Sequence, residues 1–283
     1  MVEDAKRVLK RKTLIQKVIA KIFIYTILLI MYAPILYLVV FSFTSSKVIG
    51  TWSGFSFDNF ILLFNPKNGN SQDIWKAVFN TLLIAVSAGL CSTVLGTTGA
   101  IGMYYSKKKA RNFLEFMTQI PVVNAEIVIA ISLTILFVSI HQKMSFVTLL
   151  VGHVVLTVPF VVLSVIPKLQ QMDPNLYEAA LDLGANQTQA LFKVVIPEVV
   201  PGILSGFMLS VTLSLDDYII TAFTKPVLNF ETISTYVDKI TKKSGLPPQF
   251  RAFTTLMFLM IVLIIVGMNI YSHRQNKKQI KED

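Results

Sequence analysis

The sequence predicts an all-α membrane protein with six transmembrane helices, and three observations carry that prediction. Of 283 residues, 53% are hydrophobic and only 15% charged, whereas a soluble domain carries about 25% charged residues. Six segments supply the roughly 20 apolar residues that a helix needs to cross a bilayer core of about 30 Å: residues 22–43, 78–105, 120–140, 146–166, 199–223 and 252–271. Lysine and arginine are also unequally shared between the two sides that these spans create. Seventeen fall on the side of the termini and nine on the other, which places both termini in the cytoplasm.

Composition excludes several classes. The net charge of +10 reads as basic residues held at the cytoplasmic face, not as a nucleic-acid surface. A single cysteine, Cys91, cannot form a disulfide within the chain, and His141, His153 and His273 are too scattered for a metal site. The first span follows Lys6, Arg7, Lys10, Arg11, Lys12, Lys17 and Lys21 and is too long for a signal peptide. Residues 6–18 read either as a basic helix on the inner leaflet or as a disordered tail. In the second span, Gly89, Gly96, Gly99 and Gly102 stand among serine, threonine and alanine. Small residues let helix backbones approach closely, so this span is expected at the centre of the bundle.

The most ordered polar segment is residues 168–198. Asp173 followed by Pro174 is a helix start, with an acceptor and then a proline at the first helical position. Leu176, Tyr177, Ala180, Leu181 and Leu183 form an apolar face, and Gly184 stops the helix in a left-handed conformation. Asn186 caps a second helix, which Pro197 is expected to end. Two short angled helices on the cytoplasmic side form a knob suited to the groove of a soluble partner.

Within this knob, Glu178-Ala179-Ala180, three residues, Gly184, nine residues and then Val194-Val195-Ile196-Pro197 resemble the EAA motif of ABC importer permeases. That motif ends in Ile-x-Leu-Pro, so Val194 and Ile196 are conservative departures. The resemblance spans about residues 20–272 and implies the type I importer permease fold. It also implies that the first short helix, about residues 174–184, is the coupling helix. Glu178, Ala179, Ala180, Gly184 and Pro197 then belong to the ATPase-coupling region. Ser214 to Thr221, Ile129 to Leu133 after Glu126, and Pro159 to Val162 narrow the resemblance to spermidine/putrescine permeases of the PotC type. It implies a homologous PotB-type permease as heterodimer partner, two copies of a cytoplasmic ABC ATPase and an extracytoplasmic polyamine-binding protein, in a bacterial cell membrane. ATP and Mg would reside on the ATPase chains. This chain contains no G-x-x-x-x-G-K-[ST], so it is read as a transport subunit, not an enzyme. The implied organisation is a basic N-terminal segment 1–21, a permease domain 22–272 and a tail 273–283.

Glu126, Asp216 and Asp217 lie in apolar spans, and the fifth span has no Lys or Arg to pair with its two aspartates. A carboxylate within a bilayer costs several kcal/mol unless it faces water or a partner charge. Polyamines are ammonium groups spaced by methylenes, and a pathway for them needs spaced carboxylates with apolar or aromatic walls. Adjacent helical residues point about 100° apart, so Asp216 and Asp217 are not expected to share one role. Glu126 and Asp216 are the favoured pathway residues, and Asp217 is either a second pathway residue or a structural bond. Trp52 and Tyr236, in the outward segments 44–76 and 224–251, are positioned to stack on a cation or to meet the binding protein. Interfacial anchoring in lipid is the commoner use of such residues. Residues 231–240 form an amphipathic stretch. Glu198 is expected to be solvated and His153 to be a hydrogen-bonded packing residue.

Two alternatives remain. One keeps the ABC permease but changes the cargo to iron, thiamine or sulfate. The other is a stand-alone secondary transporter, which predicts internal repeats with broken helices in matching positions; the sequence displays none.

Overall fold

The computed structural model describes residues 2–46, 48, 50–65, 67–173, 175–226, 230–243 and 245–282, with side chains described from Gln16 to Ile270 apart from residues 264, 265, 268 and 269. Lys47, Pro66 and Pro174 lie outside the described residues, as do the side chains of Lys6, Arg7, Lys10, Arg11 and Lys12 and of the C-terminal tail. The regular structure of the described residues is helical. In order, the helices are α1 (Val2–Ser42), α2 (Asp58–Leu63), α3 (Gly69–Tyr104), α4 (Lys108–Val123), α5 (Glu126–Ser139), α6 (Phe146–Gln171), α7 (Asn175–Asp182) and α8 (Gln187–Ala190). A π-helical turn, Leu191–Val195, leads into α9 (Ile196–Asp216), followed by α10 (Ile219–Thr224), α11 (Ile233–Lys243) and α12 (Pro248–Glu282). Among the described residues the isolated pairing outside helices is an antiparallel bridge between Thr44 and Phe55.

Four helical segments are long and apolar enough to cross a membrane: Gln16–Ser42, Gly69–Tyr104, Phe146–Gln171 and Gln187–Asp216. A fifth arises if α4 and α5, bent by 104° at Asn124–Ala125, count as one span, and Pro248–Leu263 is a shorter apolar helix. Two expected spans are therefore broken, which hydropathy alone did not reveal. Pro121 lies in the last turn of α4, and Asn124 and Ala125 are extended, consistent with a proline that removes an intrahelical bond. The second break is at Asp217–Tyr218, between α9 and α10. The basic N-terminus is helical from Val2 and continuous with the first span.

The chain divides into two compact units, residues 1–72 with 244–283, and residues 73–243. In the first, α12 packs on α1 and α2. The carbonyls at the end of a helix need outside partners. Here Asn59 Nδ2 donates to Ser42 O (2.9 Å) and Thr44 O (2.8 Å), and the buried Arg251 guanidinium donates to Phe41 O and Ser46 O (3.4 and 3.1 Å).

In the second unit α6 and α9 form the central pair. Val161, Val165 and Leu169 of α6 pack with Ala100 and Met103 of α3 and with Val195 and Val199. The glycines of α3 divide in two. A Cβ on Gly89 would lie 2.5 Å from Val211 Cγ2, and one on Gly96 would lie 2.6 Å from Val161 Cβ, so both positions require close helix approach. Gly99 and Gly102 would meet nothing within 4 Å. The expectation of a central small-residue span holds for its first half and not for its second.

Candidate functional site: carboxylates at two helix breaks and an exposed helical knob

The knob forms as its local signals dictate. Gly184 ends α7 with φ +89°, a conformation that costs a residue with a Cβ about 1–2 kcal/mol. Asn186 and Gln189 form a reciprocal capping box at α8, with Asn186 Oδ1 accepting from Gln189 N at 2.8 Å. Tyr177 fixes α7 to the rest of the unit by packing on the α6–α9 core and against the Tyr105 ring, 5.3 Å away. Glu178, Ala179 and Gly184 are exposed, Ala180 is half-buried, and Leu183 and Phe192 stand out at 90% and 61% exposure.

Pro197 does not end the second helix. The helix runs on through the π turn into α9, and Pro197 occupies the first turn of α9. A proline has no N–H and its ring clashes with the carbonyl four residues back. The wider i→i+5 turn over Leu191–Val195 relieves both conflicts. Gln187–Asp216 is thus one 30-residue helical rod.

At the far end of that rod the two aspartates separate into different environments. The Asp217 side chain is 1% exposed. It bonds the first turn of α10, its Oδ1 accepting from Ile220 N (3.1 Å) and its Oδ2 from Thr221 N (2.8 Å) and Thr221 Oγ1 (2.9 Å). Its backbone carbonyl accepts from Ser234 Oγ of α11 at 2.8 Å. Asp216 is exposed. It is the last residue of α9, where the helix dipole disfavours a negative charge by roughly 0.3–1 kcal/mol. Packing therefore does not explain Asp216.

His153 of α6 is fully buried beside this break. Its Nδ1 lies 2.7 Å from Ser214 Oγ, its Nε2 3.0 Å from Thr221 Oγ1 and 3.6 Å from Asp217 Oδ2. The directions assign the tautomer. Thr221 spends its proton on Asp217, so it accepts from Nε2–H, and Nδ1 accepts from the Ser214 hydroxyl. His153 is a hydrogen-bonded packing residue as expected, but with a complete partner set that the sequence did not reveal.

The first turn of α5 carries Glu126, exposed and near enough to Asp217 and Asp216 for their charges to act on it. Helices α5 and α10 pack together, with Thr134 Oγ1 donating to Phe223 O at 3.3 Å. Glu126 thus begins α5 just after one helix break, and Asp216 and Asp217 flank the other, within range of mutual charge influence. Trp52 belongs to the first unit, 54% exposed and edge-on to Phe41 at 6.3 Å. Tyr236 is a correction: it lies on α11, the expected amphipathic stretch, but is 5% exposed, so it is not a free stacking surface. Residue Glu198 is exposed in the first turn of α9. Among the described residues no three His, Cys, Asp or Glu side chains gather to hold a metal ion.

Comparison with known proteins fits this architecture. The chain is 29% identical over 254 residues to the spermidine/putrescine transport system permease protein PotC of Haemophilus influenzae, covering 90% of this chain and 96% of the relative. It is 30% identical over 241 residues to the putrescine transport system permease protein PotI of Escherichia coli, covering 80% and 81%. Among solved structures, a chain of a bacterial ABC transporter involved in the import of the acidic polysaccharide alginate superposes with a TM-score of 0.67 at 15% identity. That match covers 91% of this chain and 95% of the other. A chain of the inward-facing MetNI methionine ABC transporter matches at 0.54 and 16% identity, covering 70% and 92%. The type I ABC importer permease fold is therefore shared. Residues 92–279 match the family of binding-protein-dependent transport system inner membrane components, and the chain belongs to that family, as a multi-pass transport subunit of the inner membrane.

Proposed function

We propose that this chain is the permease subunit of an ATP-driven importer that carries spermidine or putrescine into the cytoplasm. The observation that carries the reading is the placement of Glu126, Asp216 and Asp217 beside two helix breaks, within range of mutual charge influence, with no Lys or Arg in residues 199–224. The relatives named for spermidine and putrescine, matched over most of their length, support it. In this reading a homologous PotB-type permease completes a heterodimer, two copies of a cytoplasmic ABC ATPase bind ATP and Mg, and an extracytoplasmic binding protein delivers the polyamine. The chain itself holds no cofactor. Both termini lie in the cytoplasm, six helices span the membrane, and residues 22–272 form the permease domain between the basic segment 1–21 and the tail 273–283.

The roles divide by environment. Asp216 and Glu126, exposed at the breaks, offer carboxylates that replace the hydration an ammonium loses. Asp217 is retained by its four hydrogen bonds as the residue that holds the break in shape. Trp52 supplies an exposed ring on the outward side, where it offers a cation its face. Glu178, Ala179, Ala180 and Gly184 form the ATPase contact, with Leu183 and Phe192 as its apolar anchors. Pro197 joins the knob to the rod. ATPase closure moves the knob, and the unbroken helix from Gln187 to Asp216 carries that movement over about 45 Å to the carboxylates.

The test is uptake of radiolabelled spermidine and putrescine into proteoliposomes containing this chain, its partner permease, the ATPase and the binding protein. ATP-dependent accumulation is expected. An active ATPase that responds to another binding protein while no polyamine enters would overturn the cargo and leave the coupling assignment standing.

A further inference from the structure

The knob is joined to the second unit by the chain itself, through the π turn into α9, and also by a side chain. Tyr177 of α7 packs on the α6–α9 core and against the Tyr105 ring, tilted at 46°. Tyr105 directly follows the last residue of α3, so the knob also touches the end of that helix. Towards its other end α3 is bonded to the start of α11. Ile233 N donates to Thr81 Oγ1 at 2.8 Å, and Asn80 Nδ2 donates to Glu231 O at 3.0 Å. Thr81 is buried and spends its own proton on Ala77 O, 2.7 Å away, which leaves its oxygen to accept from Ile233. The same stretch of chain reaches the break in the fifth span. Ser234 Oγ donates to the Asp217 carbonyl at 2.8 Å, and Glu231 pairs with Lys225 at the end of α10.

Between these attachments α3 runs from Thr81 to Tyr104 without a proline, a stiff length of about 35 Å. Its middle is braced against buckling. Gly89 abuts Val211 of α9, Gly96 abuts Val161 of α6, and Ser92 Oγ lies 2.6 Å from Thr157 Oγ1. We propose that α3 is a second line between the break and the knob, with Thr81 and Tyr105 as the positioning residues at its ends. The proposal rests on the reading of the knob as the ATPase contact. Helix α9 joins the knob to Asp216 directly, whereas α3 joins it to α11, in the segment read as outward. Displacing Ile233 and Ser234 from outside shifts the Thr81 end of α3, and the Tyr105 ring passes the shift to Tyr177, beside Glu178. The two lines carry different information: α9 moves the carboxylates, and α3 reports the state of the outer segment to the ATPase.

The experiment is a double-mutant cycle on the complete importer in proteoliposomes, reading how far loaded binding protein raises ATP hydrolysis above its basal rate. Tyr105→Ala removes the ring and Thr81→Val removes the acceptor. Each is expected to retain basal hydrolysis and to lower the stimulation about fivefold. Tyr105→Phe and Thr81→Ser, which keep the ring and the acceptor, should be stimulated like the parent. Substitutions this far apart with no shared partner combine as the product of their effects, a loss of about 25-fold. Two cuts in one line instead leave the double variant near the fivefold loss of either alone. If Tyr105→Ala abolishes stimulation, Tyr105→Leu replaces it, and Asn80→Ala replaces Thr81→Val if that variant does not assemble. Normal stimulation in either single variant, or a double variant that shows the full product, overturns the proposal. Glu178→Trp, measured in parallel, separates it from the reading beneath it. Uncoupling in Glu178→Trp with normal stimulation in Tyr105→Ala sinks the α3 line alone, and normal stimulation in Glu178→Trp sinks the knob reading and the α3 line with it.

Discussion

The hydroxyl of Ser214 lies 2.7 Å from Nδ1 of His153, joining α9 to α6 one residue pair before α9 breaks. With Thr221 on the other ring nitrogen, the imidazole spans the break and bonds the helix on each side of it. His153→Leu leaves two buried hydroxyls without this partner, at about 1–3 kcal/mol each. The expected result is a clear fall in the melting temperature of the solubilised protein, with uptake lost through displacement of the break. His153→Gln, which can bond at one of the two hydroxyls, should recover part of the stability. A melt unchanged in His153→Leu would remove the imidazole from this role.

Asp216→Asn and Asp217→Asn should fail differently. Asp216 is exposed at the end of α9, so its amide variant is expected to assemble with normal stability and transport with a raised KM. Asp217→Asn retains size but disturbs three bonds to α10, and is expected to lose about 1–3 kcal/mol of stability. Measuring thermal stability and uptake kinetics for both variants decides the matter; equal behaviour would contradict the division of roles.

Gly184→Val forces a β-branched residue into φ +89°, which costs about 1–2 kcal/mol locally and reshapes the exposed knob. The expected outcome is a complex that still carries both permeases but whose ATPase no longer responds to loaded binding protein. Glu178→Trp should give the same uncoupling without the backbone strain. Normal ATPase stimulation in both variants would show that the knob is not the coupling element.

Overpacking tests the helix contacts. Gly96→Val introduces atoms where even a Cβ would lie 2.6 Å from Val161, so a loss of about 1–3 kcal/mol is expected in a melt. Gly102→Val, at a position with nothing within 4 Å, should melt within a few degrees of the parent.

The segment before α11 carries its own acid dependence. Burial pushes the Glu231 carboxyl up, but hydrogen bonds from Lys225, Thr235 and Lys239 outweigh it and hold the group below its ordinary 4.5. A lowered folded-state value means stability that is complete above the ordinary value and lost as pH falls through the lowered one. Glu231→Gln should therefore melt below the parent at pH 6–8, with the gap closing below about pH 4.5. A gap that stays constant to pH 3 would show that the three bonds hold nothing.

The sequence disclosed whatever is encoded locally. Asn186, Gly184 and the spacing after Glu178 fixed the knob because a cap, a left-handed stop and a short apolar face act within a few residues. The break at Asp217 was hidden because an aspartate inside an apolar run looks like a buried charge, and the hydropathy of residues 199–223 is continuous across it. Asp217 bonds residues only three and four positions on, but as the start of a new helix that hydropathy does not mark, and the partners of His153 lie 61 and 68 residues away, a distance at which periodicity carries no signal. Pro197 was misjudged for a related reason. A proline ordinarily terminates an α-helix, and nothing in the composition of Leu191–Val195 announces a π turn. Tyr236 reads as an available ring because its segment is polar on average, whereas the face it occupies on α11 is the buried one.

The uninterrupted helix from the knob to Asp216 also has a mechanical meaning. A rigid arm of 30 residues is about 45 Å long. Pivoting it by roughly 5° at the knob swings its tip through about 4 Å by that length, comparable to the diameter of an ammonium group. In the proposed coupling, the angular displacement demanded at the knob is correspondingly small: a few degrees at the base move the Asp216 carboxylate by about the width of an ammonium group. The π turn sits near the base of that arm, where a given flexure produces the largest excursion at the tip.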